Sequence, residues 1–224
     1  MIAKFVASHQ VVRYNIQETF EHSKGACRFL SELRLFIAVP IPSRVKDSLK
    51  GYMLDLQASL SFQKWVHPDD LHITLKFLGG TPVKMKEKLE EQLASLANGL
   101  STFHLSVGEL GAFGKPAAPG VLQAGVHGDT DALKHMHRRV EQLAAAHGFA
   151  PEERPYKPHI TLARRYVGSE PFQRLWTQEA VLPASGSWSW EVNEIVLYQS
   201  HLGRRPMYHA LHTFPLQGQP ALRK

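Results

Sequence analysis

Cysteine is almost absent: Cys27 is the one thiol in 224 residues. A single thiol excludes an intrachain disulfide and any zinc site built from cysteines. That economy suits a reducing compartment. No apolar run approaches the roughly 20 residues of a membrane-spanning helix. Met1 to Gln10 carries Lys4, Ser8 and His9 and has no long apolar core, so no secretory leader is expected and the cytoplasm is the expected location. There is no unbroken basic run either, although 26 Lys+Arg against 20 Asp+Glu give a net charge of +6. A long duplex-binding stripe is therefore not expected, and the excess leans only weakly toward a small phosphorylated substrate or a short RNA. His-Glu-x-x-His is missing, and the glycines between Gly108 and Gly120 match neither the phosphate-cradling loop nor the dinucleotide fingerprint. No nucleophilic serine elbow and no catalytic cysteine stands out.

What is present is a pattern of short elements. Residues 1–33 have no sustained period and read as an N-terminal extension, partly helical or disordered. The body starts at Arg34, and residues 34–224 read as one domain. Leu35-Phe36-Ile37-Ala38-Val39 predicts a strand ended by Pro40 and Pro42. Val45, Leu49, Met53, Leu56 and Leu60 predict a helix, and Leu89, Leu93 and Leu96 a second one that stops near Asn98-Gly99. Thr102 to Val107 alternates as a strand, and Gly111 to Gly120 reads as a Gly/Pro-rich loop. Val121 to Val126 predicts a strand. Asp129 or Thr130 caps a helix carrying Leu133, Met136, Val140 and Leu143, with Gly148 as its stop. Phe172 to Trp176 suggests a short helix. Val192 to Tyr198 and Met207 to Phe214 close the chain as strands. The order strand, helix, strand, helix, strand occurs twice. It predicts an α+β fold of two similar lobes, with two mainly antiparallel sheets flanked by helices, pseudo-two-fold symmetry and a cleft between the lobes.

Each half holds one copy of a polar pair in an apolar frame: Leu71-His72-Ile73-Thr74-Leu75-Lys76 and Pro158-His159-Ile160-Thr161-Leu162-Ala163. In a strand, residues two apart share a face. His72 and Thr74 therefore face one way and Ile73, Leu75 and Phe77 the other, where they are expected to pack on helices, and the second copy repeats this with His159 and Thr161 against Ile160 and Leu162. Strict alternation adds Lys76 to the polar face of the first copy and Arg165, rather than Arg164, to that of the second. An imidazole titrates near pH 6.5, so of two facing histidines one can take a proton while the other gives one. That division suits displacement at phosphorus. A lone histidine on a strand is more often structural, but two copies with matched flanks in matched positions are hard to dismiss. The four tryptophans (Trp65, Trp176, Trp188 and Trp190) can stack a base, though packing is their commoner role. Asp69-Asp70 reads as turn and strand entry.

With these motifs, and with Leu110-Gly111-Ala112-Phe113, Arg154-Pro155-Tyr156-Lys157, Leu197-Tyr198-Gln199-Ser200 and Phe214-Pro215-Leu216 around them, the chain resembles the two-histidine phosphoesterases. Within them it resembles the RNA 2′,3′-cyclic phosphodiesterases, also called 2′-5′ RNA ligases, over about residues 34–216. The resemblance implies a bilobal fold, no metal or other cofactor, and hydrolysis of a 2′,3′-cyclic phosphate to a 2′-phosphomonoester. It implies that His72 is the general acid and His159 the general base, and that Thr74, Thr161 and Arg164 bind phosphate oxygens. Arg164 has the wrong parity for this unless the strand ends or bulges after Leu162. The implied partners are RNA ends or nucleotides bearing the cyclic phosphate, with no membrane and a monomer as the default. Two alternatives stay open: a phosphodiesterase for another 2′-linked or cyclic nucleotide, and a non-catalytic protein that binds RNA ends.

Overall fold

The computed structural model describes residues 32–173 and 188–218. Residues 1–31, Trp176 and most of the short helix expected over Phe172–Trp176 lie outside that range. The elements in chain order are β1 (Glu32–Pro40), α1 (Ser43–Ser59), β2 (Phe62–Trp65), β3 (His72–Pro82), α2 (Lys86–Asn98), β4 (Phe103–Lys115), β5 (Ala118–Gly128), α3 (Thr130–Ala146), β6 (Ile160–Tyr166), β7 (Ser189–Val192), β8 (Glu194–Ser200) and β9 (Tyr208–Pro215). Short 3-10 turns cover Pro68–Asp70 and Val83–Met85. The first strand thus begins two residues before Arg34.

The helices form where apolar residues recur at three and four. α1 buries Val45, Leu49, Tyr52, Met53 and Leu56. α3 buries Leu133, Met136, Val140 and Ala144 and is closed by Gly148, whose φ of +82° favours glycine. Fully burying one such side chain stabilises the fold by about 1.5–3 kcal/mol. The Gly/Pro-rich stretch after residue 110 is not a loop. β4 runs on to Lys115 and β5 starts at Ala118, so the backbone ladder persists with a hairpin at Pro116-Ala117. The last predicted region is also more divided than its pattern suggests, because Asn193 separates β7 from β8.

Eight strands run in the order β7-β4-β5-β6-β3-β1-β8-β9, with β2 as a ninth on the edge of β6. Every described pairing among these strands is antiparallel. The α+β class holds, but the two expected sheets are joined: Ile73 pairs with Ile160 across β3 and β6. From there β6 turns its edge to β2 instead, through Ala163, Arg164 and Tyr166. Four strands lie on each side of that join, and the two motif strands are innermost. The halves are not consecutive pieces of chain, as the repeat suggests. β4 crosses to the side of His159, and β8 and β9 return to the side of His72.

Helices pack on one face of this sheet. α2 lies against β8 and β9, and α3 against β3. α1 reaches the other half, where Tyr52 meets Trp188 edge-on at 6.2 Å and Arg44 donates to the Ser189 carbonyl. Leu35, Ile37 and Val39 of β1 enter the shared core, together with Ile73, Ile160 and Leu162. Phe36 and Ala38 are as buried (1 % and 0 % exposed) but stand outside that core. They belong to the opposite face, where the histidines are. Among the described residues no helix is long and apolar enough to cross a membrane.

Candidate active site

The Ile73–Ile160 pair sets the register of the site. Counting outward from it places His72 across from Thr161 and Thr74 across from His159. Ile73 and Ile160 are wholly buried against the helices. The four polar side chains therefore lie together on the other face.

Each imidazole is held in the same way. His72 Nδ1 is 2.6 Å from the Asp70 carbonyl, and His159 Nδ1 is 2.8 Å from the Lys157 carbonyl. A carbonyl only accepts, so Nδ1 carries the proton in both rings and the neutral lone pair sits on Nε2. Thr74 Oγ1 lies 3.0 Å from His72 Nε2, placed to donate to it. The support of His72 continues one layer outward. The buried Asp70 carboxylate accepts from Met207 N–H at 2.9 and 3.0 Å and from Tyr208 N–H at 2.9 Å, which ties the β8–β9 loop to the site. Asp70, expected as a turn residue, is a bolt behind the ring. On the other side, Tyr156 donates its hydroxyl to the Thr74 carbonyl at 3.2 Å.

The surroundings push both histidines toward the neutral form. His72 faces Phe36 (4.9 Å between ring centroids), Tyr208 (5.2 Å) and Tyr198 (6.1 Å). Burial among these rings lowers its pKa to about 4. The Asp70 contacts oppose that shift, and the charges of Arg164 and His159 add to it. His159 meets Phe113 edge-on at 5.0 Å, and its pKa is also lowered, by burial first and then by Arg164. Burial likewise raises the Tyr198 phenol to about 12.

Strict alternation fails just beyond the motifs. Ala38 pairs with Thr74 but Ile37 with Lys76, so Leu75 is an extra residue in β3. Gln123 pairs with Thr161 but Leu122 with Ala163, so Leu162 is an extra residue in β6. Each bulge falls three residues after its histidine and reverses the parity of the residues beyond it. Lys76 consequently leaves the cleft face. It is 5 % exposed and bonded to Glu141 Oε2 (2.8 Å) and the Ala150 carbonyl (2.7 Å) beneath α3. Arg164 turns to the histidine side, where its charge adds to the lowering that burial imposes on both rings and opposes the rise that burial imposes on the Tyr208 phenol. Arg165 points away and donates to Gln63 at 3.1 Å.

Three further residues on this face escaped sequence reasoning. Phe77, expected to pack on the helices, is instead 62 % exposed and beside Phe36, because the extra residue Leu75 reverses its parity. Tyr198 stacks on Phe36 at 5.1 Å. Gln123 sits beside Thr161 with a buried, unbonded Oε1. A Cβ on Gly111 would come within 2.3 Å of the Gln123 amide, so a side chain there would displace it. The spacing of Leu110-Gly111-Ala112-Phe113 carried that signal without its meaning. Trp188 and Trp190 are buried, and Trp65 is packed against the core. Among the described residues no three His, Cys, Asp or Glu side chains cluster as metal ligands.

The chain and its fold are similar to known proteins. The model of the 2′-5′ RNA ligase superfamily matches residues 45–204. A Geobacillus stearothermophilus protein named RNA 2′,3′-cyclic phosphodiesterase is 40 % identical over 83 % of this chain and 58 % of its own length. The chain thus spans less than two thirds of that relative. A Bacillus subtilis protein of the same name is 35 % identical over 81 % of this chain and 95 % of its own. Among solved structures, E. coli LigT complexed with 3′-AMP superposes with a TM-score of 0.66 at 25 % identity, covering 83 % of this chain and 98 % of LigT. This chain belongs to the 2′-5′ RNA ligase superfamily.

Proposed function

We propose that this protein hydrolyses the 2′,3′-cyclic phosphate at RNA ends to a 2′-phosphomonoester, with the two histidines as acid and base and no metal. The observation that carries this reading is the pair of rings with Nδ1 pinned and Nε2 presented on one face, each beside a threonine. The relatives' shared name supports the substrate class.

In this reading Thr74, Thr161 and Arg164 hold the non-bridging oxygens of the cyclic phosphate. His159 Nε2 takes a proton from water as the water oxygen bonds to phosphorus. The P–O3′ bond breaks as His72 Nε2 gives its proton to O3′. The cycle ends with His159 charged and His72 neutral, so one proton must be exchanged with solvent before the next turnover. With a pKa near 4, only about a thousandth of His72 is charged at pH 7. The anionic phosphodiester raises that fraction, since an opposite charge favours the imidazolium. Run backward on a 5′-hydroxyl, the same acid and base form a 2′-5′ linkage. The core shared by both halves supports reading the body as a single domain.

The test is a 2′,3′-cyclic mononucleotide incubated with EDTA-treated protein. A 2′-phosphate should accumulate without added metal. No turnover, or turnover only with added Zn²⁺ or Mn²⁺, would refute the mechanism.

A further inference from the structure

A cavity of about 550 Å³ lies between α1, β2 and the β8–β9 loop. One wall comes from α1 and β2, which belong with the His159 half. The other comes from the β8–β9 loop of the His72 half. Lys50, Lys64, Trp65, Arg204 and Arg205 line it, and Asp70 and Met207 close the end nearest His72. Lys64 is also the cross-strand partner of Arg164.

The charge in this cavity is uncompensated. Lys50, Lys64, Arg204 and Arg205 are exposed, and none forms an ion pair among the described residues. The lining carboxylate, Asp70, is 6 % exposed and already accepts three bonds from backbone N–H groups. Trp65 is half-buried and braced edge-on by Phe62 at 5.9 Å, which holds its indole in place. Four cations around a fixed aromatic, in a space within the range of small-ligand sites, match a nucleotide with its phosphate.

We propose that this cavity binds the RNA chain one nucleotide upstream of the reacting end. The inference rests on the function proposed above. In a substrate ending in a 2′,3′-cyclic phosphate, the 2′ and 3′ oxygens are both in the ring. The chain can continue only from the 5′ oxygen, so every further nucleotide lies on that side of the reacting end. The cavity adjoins the site through Lys64, which pairs with Arg164, and through Asp70, whose carbonyl anchors His72. The contact is to phosphate and to a base face, so it is sequence-tolerant and salt-dependent.

The experiment compares a cyclic mononucleotide with a tetranucleotide ending in the same cyclic phosphate, in wild type and in a Lys50→Glu/Arg204→Glu double variant. Wild type should show the higher kcat/KM on the tetranucleotide. The double variant should lose about tenfold or more of that value and keep its rate on the mononucleotide, which also certifies its fold. Its salt dependence on the tetranucleotide should flatten, since each lost phosphate contact removes about 0.7 from the slope of log K against log salt. If charge reversal prevents folding, Lys50→Gln/Arg204→Gln replaces it with the same expected direction. Equal loss on both substrates, or no tetranucleotide preference in wild type, overturns the proposal. If wild type hydrolyses neither substrate, the proposed function fails. The cavity is then tested by fluorescence anisotropy of a tetranucleotide ending in a 2′-phosphate, whose affinity the double variant must weaken about tenfold for the subsite to stand.

Discussion

The two halves of the active face share one frame and differ in what it carries. Both have His-x-Thr on the innermost strand, an Nδ1 anchored two residues back, and a bulge three residues after the histidine. Two cross-strand rows then diverge. In the first half Thr74 lies beside Ala38 and Val196; in the second Thr161 lies beside Gln123 and Gly111. Beyond the bulge the first half offers Phe77, Phe36 and Tyr198, and the second offers Arg164, Val121 and Phe113. One side is an aromatic wall and the other brings a cation and an amide. A near-symmetric pair of imidazoles thereby becomes asymmetric. His72 is desolvated by rings, while His159 lies on the side of the Arg164 charge.

The comparison breaks hardest at the histidines. His72→Ala and His159→Ala should each lower kcat by roughly 10²–10⁴-fold. Their roles separate with a cyclic substrate carrying sulfur at the departing 3′ position, which leaves without a proton donor. That substrate should rescue His72→Ala and not His159→Ala. The reverse pattern would exchange acid and base between the halves.

Behind the face, the halves differ at the residue after each bulge: Lys76 in one, Ala163 in the other. Lys76 reaches Glu141 in a largely buried pair, and Glu141 also lies 3.8 Å from His137, which stacks on Tyr156. Removing one partner strands the other. Lys76→Met should therefore destabilise the protein by about 3–5 kcal/mol in urea denaturation. Lys76→Met/Glu141→Leu should recover much of that loss. A Lys76→Met protein as stable as wild type would mean that the pair contributes only exposed-surface electrostatics.

The payload residues should give smaller and different losses. Arg164→Met should remove the proposed charge-assisted bonds to the phosphate, about 1.5–3 kcal/mol, and lower kcat/KM about 10- to 100-fold on every cyclic phosphate. Phe77→Ala removes a face on which a base can stack, at the low end of about 1–3 kcal/mol. It should raise KM about fivefold for nucleotides and leave ribose 2′,3′-cyclic phosphate, which has no base, unaffected. Equal losses on the base-free substrate would assign Phe77 to packing around Phe36 instead.

The elements that sequence periodicity captured are those whose local pattern and tertiary role agree. The apolar spacing of α1 and α3 and the alternation around His72 and His159 are of this kind. It missed what depends on partners far along the chain. Nothing local tells that β4 pairs across the join or that Gly111 to Gly120 continues a ladder, because strand pairing is decided by the neighbour. The bulges at Leu75 and Leu162 are equally silent, since a leucine fits a regular strand as well as an extra position. That silence misdirected Lys76 to the cleft face and Phe77 to the buried one. Asp70 looked like a turn residue because its use, capturing Met207 and Tyr208, lies 137 and 138 residues away.

The subtlest difference between the halves is the proton affinity of His72. Its folded pKa, about 4, lies below the 6.5 of an unfolded histidine. Between those values the unfolded chain binds a proton that the folded ring refuses, so stability rises with pH across this window. The contribution is fully present above pH 6.5 and is lost as pH falls toward 4. His72→Gln should flatten that part of the pH–stability curve, and His159→Gln should flatten it less if the aromatic wall is the stronger source of desolvation. Inorganic phosphate should oppose the effect, because an anion at the rings favours the imidazolium. In a ring-carbon NMR titration the His72 midpoint should lie near 4 in the free protein and move up on phosphate addition. A His72 midpoint at 6 or above without phosphate would show that the wall of Phe36, Tyr198 and Tyr208 does not desolvate the ring, and the distinction between the two halves would then rest on Arg164 alone.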